Sequence, residues 1–118
     1  MRHKVQGRKF GMKRGRRQSF VRNLVVEMIK RERIETTEAR AKEIRPRVER
    51  MVHIGKQGTL ASRRLLLSRL NNNTTVVRKL VETIAPRYAE RAGGYVRIVK
   101  TARARKRDGA HVAVIEFV

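Results

Sequence analysis

The sequence predicts an α+β domain of two layers, with about four helices packed on a small sheet and an extended basic arm at the N-terminus. Three observations carry this. Apolar residues recur at helical spacing from Phe20 to Ile84 and alternate in strand fashion after Gly94. A chain of 118 residues with 40% hydrophobic content is long enough for one core and too short for two. The first 26 residues hold nine Lys or Arg and no Asp or Glu, punctuated by Gly7, Gly11 and Gly15. The chain therefore divides into an arm, residues 1–17, and a single domain, residues 18–118.

From Ser19, a suitable N-cap, the residues Val21, Leu24, Val25, Met28 and Ile29 fall on one face of a first helix. Ile34 to Thr36 is short, β-branched at two of three positions, and suits one brief strand. Thr36 or Thr37 then caps a second helix, with Glu38 in its first turn where a carboxylate complements the helix dipole. Ala41, Ile44, Val48, Met51 and Val52 form its apolar face, a kink or break is expected at Pro46, and Gly55 and Gly58 end it. Thr59 caps a short third helix that offers Leu60, Leu66, Leu67 and Leu70 for burial, and Asn71 to Asn73 turn the chain. Asn73 or Thr74 caps a fourth, with Val76, Val77, Leu80, Val81 and Ile84 inward until Pro86 ends or bends it. Tyr95 to Thr101 and His111 to Val118 read as alternating strands around a basic link, Ala102 to Ala110.

The formal charge is +21, from 31 basic and 10 acidic residues, and 22 of the cations are Arg. Such a field draws polyanions, and Arg grips phosphates bidentately and stacks on bases. Three segments carry it: the arm; residues 51–81, with six cations and no acid; and the link between the last strands. An arm of 17 residues extends to roughly 58 Å at about 3.4 Å per residue, enough to thread a crevice in folded RNA. With three Phe and two Tyr, no sheet of base-stacking aromatics is visible, so binding is expected to rest on phosphate contacts, Arg stacking and shape.

Catalytic chemistry finds little footing. The chain has one Asp, Asp108, and nine Glu scattered among cations, of which Glu27 with Arg31 and Glu43 with Arg47 have the i, i+4 order of helix ion pairs. His3, His53 and His111 lack metal-ligand spacing, Ser and Thr lack a His and carboxylate partner set, and there is no phosphate loop or dinucleotide fingerprint. The absence of cysteine excludes disulfide, zinc-ribbon and iron–sulfur scaffolds. No apolar run approaches the ~20 residues that span a bilayer, and the N-terminal residues lack a signal-peptide core, so a cytoplasmic protein is expected. Gly93-Gly94 reads as a turn between helix and strand, with Arg91 and Arg97 on either side.

Several blocks resemble one known family. They are Met1-Arg2-His3-Lys4 with Gly7-Arg8, Arg22-Asn23-Leu24, Ile34-Glu35-Thr36-Thr37 with Arg40-Ala41-Lys42-Glu43-Ile44-Arg45, and Arg91-Ala92-Gly93-Gly94-Tyr95 before Arg97-Ile98-Val99-Lys100, with Ile115-Glu116 near the C-terminus. Over nearly its whole length the chain resembles the ribosomal protein L17 family of the bacterial large subunit. The resemblance implies a structural constituent of the ribosome, not an enzyme, without cofactor, metal or small-molecule substrate. It implies binding to large-subunit (23S) ribosomal RNA on the solvent side near the exit of the polypeptide tunnel, with neighbouring ribosomal proteins as partners and no membrane. It also implies the order α-β-α-α-α-β-β, which makes Ile34 to Thr36 a third strand beside the hairpin.

Candidate phosphate contacts are Arg2, Lys4, Arg8, Lys9, Lys13, Arg14, Arg16 and Arg17 in the arm, with His3 and Arg22 beside them. Arg40, Lys42 and Arg45 form a second set and Arg103, Arg105 and Arg107 a third, with Arg91 and Arg97 flanking the glycine pair. The same charge would serve an architectural protein of chromosomal DNA, which is the competing reading.

Overall fold

A computed structural model describes His3 and residues 7–118. Helix α1 (Arg14–Arg31) leads through strand β1 (Arg33–Thr37) to the long helix α2 (Glu38–Gln57). Helices α3 (Leu60–Arg69) and α4 (Thr74–Lys79) follow, then one π-helical turn over Leu80–Ile84, the short α5 (Ala85–Arg87), and strands β2 (Val96–Ala104) and β3 (His111–Phe117). The three strands form an antiparallel sheet in the order β1-β3-β2, so the last strand in sequence is the central one. The α+β class and the expected third strand are both present.

Local chemistry accounts for the starts of α2, α3 and α4. The Thr37 hydroxyl accepts the Arg40 N–H at 3.3 Å, that of Thr59 accepts the Ser62 N–H at 3.1 Å, and the Asn73 side-chain carbonyl accepts the Val76 N–H at 3.2 Å. Each occupies a donor that the first helical turn leaves without a backbone partner. Helix α1 departs from expectation: it starts at Arg14, with Lys13 rather than Ser19 at the N-cap and no side-chain cap. Backbone bonding extends it, since Arg17 N–H reaches Lys13 O at 2.9 Å, and Arg is a good helix former.

Pro46 does not break α2, which is helical on both sides of it. Ile44 and Val48 flank it fully buried while Pro46 itself is exposed, so packing of the opposite face holds the turn that the proline weakens. The helix also passes through Gly55 and ends at Gly58, whose φ of +64° is the left-handed value that favours glycine. These two glycines respond oppositely to alanine. At Gly55 an added Cβ would sit 3.5 Å from Leu80 Cγ and from Ala85 Cβ, ordinary contact, so Gly55→Ala is expected to raise stability by about 0.5–1 kcal/mol. Gly58→Ala is expected to lower it by about 1 kcal/mol, because alanine must adopt the left-handed conformation. Chemical denaturation midpoints of the two variants check the pair of signs.

The core lies between the helices and one face of the sheet, and α2 touches all three strands. Ile34, Ile115 and Ile98 stand opposite one another across the sheet, with Ile115 fully buried. The expected alternation fails in β3, where Ala113, Val114 and Ile115 are all buried. A central strand has neighbours on both edges, and Val114 is covered between Glu35 and Val99 on its partner strands. At the entry to β2 the Glu49 carboxylate accepts the N–H groups of Tyr95 and Val96, each at 3.0 Å, which ties the sheet to α2. The hairpin link is tighter than expected, because β2 continues to Ala104. Arg105 N–H bonds Ala110 O and Gly109 N–H bonds Arg105 O, both at 3.0 Å, and a bulge between Lys100 and Ala104 absorbs the extra residues.

Candidate nucleic-acid interface

Most carboxylates have cation partners, and the positions of those pairs determine where positive charge is left over. Glu27 pairs with Arg31 as expected, Glu38 with Lys42 and Lys100, Glu82 with Arg63, and Glu116 with Arg33 and Arg97. Glu32 holds Arg87 and Lys79, Glu35 holds Arg103, and Asp108 holds Arg105. These contacts pull the carboxyls of Glu32 and Glu38 below their ordinary range, chiefly through hydrogen bonds from Arg87 and Lys42; for Asp108 the Ala110 N–H is the main cause. Burial raises the Tyr88 phenol, whose hydroxyl donates to Val118 O at 2.8 Å.

The expected Glu43 to Arg47 pair is replaced. Glu43 takes the Arg8 guanidinium at 3.5 Å and the Arg8 backbone N–H at 3.3 Å, so the described part of the arm folds back on α2. Phe10 meets Phe20 of α1 edge to face at 5.8 Å, and the Arg40 guanidinium lies 4.9 Å over the Phe20 ring. Arg14, Arg16 and Arg17 then occupy the first turns of α1 with no acid among them. Cations at this end of a helix oppose its dipole, a mismatch that a bound anion would reverse.

Two clefts bring cations together along α1 and α2. One, of about 220 Å³, is lined by Arg8, Lys9, Arg14, Arg17 and Arg47, with Glu43 at its wall. The second, of about 290 Å³, carries Arg22 from α1, Arg47 and Arg50 from α2, and Arg69 from α3, with no carboxylate. Arg47 lines both, so the two adjoin at that side chain. Arg47, Arg50 and Arg69 were not among the selected candidates. Arg47 and Arg50 lie at i, i+3 on one face of α2, a signal present in the sequence; Arg69 belongs to the acid-free segment 51–81, but only folding brings it beside them. A third hollow, of about 430 Å³, lies between β1 and the hairpin, where Arg40, Arg103, Arg105 and Lys106 meet beside Glu35.

Comparison with known proteins decides the family. The sequence model of the family described as "Ribosomal protein L17" matches residues 20–118. The chain belongs to the ribosomal protein L17 family. It is 48% identical to the protein named "Large ribosomal subunit protein bL17" of Fusobacterium nucleatum over the full length of both chains. It is 48% identical to that of Thermodesulfovibrio yellowstonii, over all of this chain and 87% of the relative, and 45% identical to that of Persephonella marina, over all of this chain and 95% of the relative. Proteins of the L17 family are structural components of the ribosome, and this one is not an enzyme.

In this L17-family protein the remaining candidates fall into four states. Arg2 and Lys4 lie outside the described residues, and His3 is exposed. Lys9, Lys13, Arg14, Arg16, Arg22, Arg45 and Arg107 are exposed and have no carboxylate partner among the described residues. Arg8, Lys42, Arg97, Arg103 and Arg105 are engaged by carboxylates in surface ion pairs that water and salt screen. Arg91 has a structural part, since its carbonyl accepts Lys56 Nζ at 2.5 Å and its Nε donates to Gly93 O at 3.2 Å. Among the described residues no helix is long and apolar enough to cross a membrane, and no cluster of His, Cys, Asp or Glu is arranged to hold a metal.

Proposed function

We propose that this protein is a constituent of the large ribosomal subunit that binds 23S ribosomal RNA and fastens separate RNA segments together, near the exit of the polypeptide tunnel. The observation that carries the reading is the pair of adjoining cationic clefts, Lys9, Arg14, Arg17 and Arg47 in one and Arg22, Arg47, Arg50 and Arg69 in the other, with Glu43 the one carboxylate on their walls. Its repulsion is relieved by phosphates, whose condensed counterions are released on binding. The relatives' names, each a large ribosomal subunit protein, support the choice of subunit. The place near the tunnel exit is what the family resemblance implies. Cations from the arm, α1, α2, α3 and the hairpin line three separate hollows, as suits a protein held between RNA elements rather than one docked by a single recognition helix.

The test is affinity for large-subunit ribosomal RNA and for duplex DNA across a salt series. With about eight phosphates neutralised, the logarithmic salt slope on RNA is expected near −6, from about 0.7 per contact. A slope near zero defeats the proposal, and preference for duplex DNA at equal salt transfers the protein to the architectural DNA reading.

A further inference from the structure

The tip of the β2–β3 hairpin carries backbone chemistry that phosphate binding does not use. Of the one Asp and four Asn in the chain, only Asp108 is followed by glycine; the Asn residues precede Leu24, Asn72, Asn73 and Thr74, whose side chains crowd the amide nitrogen. Asp108 and Gly109 are exposed, and a Cβ added to Gly109 would meet nothing within 4 Å, so among the described residues no side chain shields this peptide. Both groups that could react are nevertheless held. The Asp108 carboxylate accepts the Ala110 N–H and Arg105 Nε, each at 3.1 Å, with Arg105 Nη2 on its second oxygen, and the Gly109 N–H donates to Arg105 O at 3.0 Å.

We propose that Asp108-Gly109 is a site of isoaspartate formation, and that the grip of Arg105 on Asp108 sets its rate in the folded chain. The Gly109 nitrogen attacks Asp108 Cγ; a C–N bond forms, the amide proton and the carboxyl hydroxyl leave as water, and a succinimide ring closes. Water then opens the ring. Addition at Cγ restores aspartate, whereas addition at the Asp108 backbone carbonyl carbon leaves the main chain running through Cγ and the α-carboxylate free. The sum is an isomerisation in which water is lost and regained and nothing is oxidised or reduced. Arg105 slows it by holding the side chain in one rotamer. The Ala110 N–H and the Arg105 guanidinium also keep the carboxyl below its ordinary range and so ionised, the form that loses its oxygen least readily. The isomer adds a methylene to a turn closed by Arg105 N–H on Ala110 O, which opens the neck of the hairpin and moves the carboxylate off Arg105. None of these steps involves RNA.

The full chain is aged at neutral pH, and isoaspartate is counted by methyl transfer from S-adenosylmethionine with an isoaspartyl methyltransferase. The parent chain is expected to accumulate it slowly and Arg105→Gln about tenfold faster. Arg105→Lys, which keeps the charge and loses the fork, should fall between them. Asp108→Glu is expected to accumulate none, because glutamate would have to close a larger, less favoured ring. Arg103→Gln, which removes the hairpin arginine paired with Glu35 instead of Asp108, is expected to age at the parent rate. In urea, where the hairpin is unfolded, the parent chain and Arg105→Gln are expected to age alike, as a folded clamp requires and an effect of neighbouring sequence does not. All three substituted side chains are exposed, and unchanged melting of each variant separates a released carboxylate from a lost fold. Equal rates for the folded parent and Arg105→Gln, or a difference that persists in urea, overturn the role of Arg105. Methylation that survives in Asp108→Glu, or its absence from the parent chain even in urea, overturns the site.

Discussion

Removal of residues 1–13 is expected to lower affinity for structured large-subunit RNA by two to three orders of magnitude at physiological salt. The deletion takes away five cations, Arg2, Lys4, Arg8, Lys9 and Lys13. Each phosphate contact contributes about 0.7 to the salt slope, and at an ionic strength of about 0.15 M this corresponds to roughly 0.6 logarithmic units of affinity, so five contacts give close to three. The slope should fall by about 3.5 at the same time. The cut belongs before Arg14, because α1 begins there and a deletion through Arg17 would remove its first turn. The deletion also removes Phe10 from Phe20 and Arg8 from Glu43, which lowers stability. A second variant, with the same five cations changed to Gln, keeps Phe10 in place and isolates charge. Filter binding over a salt series reads both; an unchanged slope in the Gln variant would show that the arm does not contact phosphate.

The second large effect is on stability and comes from a residue with no place in the cationic band. Glu49→Ala is expected to destabilise the fold by about 2–4 kcal/mol, since it strands the N–H groups of Tyr95 and Val96, both buried residues, without their shared acceptor. For a domain of this size that corresponds to a fall in Tm of roughly 10 °C. Glu49→Gln should fall in between, because its amide retains one acceptor oxygen and turns an NH₂ group toward the other donor. Circular dichroism melting reads the series. If Glu49→Ala melts within about 2 °C of the parent chain, the carboxylate is not what holds β2 to α2. Below the melting range both variants should retain the salt slope on RNA, since Glu49 lines neither arginine cleft.

Legibility followed the range of the interactions involved. Thr37, Thr59 and Asn73 were readable as caps because a cap is settled by a side chain and an N–H three residues on. The pair of Glu27 and Arg31 was readable for the same reason, since one helical turn places them together. Ile34 to Thr36 was open as an isolated stretch and became a strand on the family resemblance; its partner, β3, lies some 80 residues away in sequence. Pro46 was expected to disturb α2, and its local signal was outweighed by the buried residues on the other face of that helix. His111 to Val118 reads as an alternating strand, but Val114 is buried along with Ala113 and Ile115, because the strands on both edges of β3 set Glu35 and Val99 beside it.

By itself the sequence determined the α+β class, the division into helices then hairpin, the excess of cations and the absence of catalytic groupings, all of which depend on composition or on neighbours within about four residues. Only the tertiary structure decided which cations are neutralised at home and which are left to a partner. Glu43 chose Arg8 over the adjacent turn's Arg47, and that choice released Arg47 to join Arg22, Arg50 and Arg69 from three different helices. Charge is additive along a chain, but its pairing depends on distance in space, and distances between residues far apart in sequence exist only once the helices have packed.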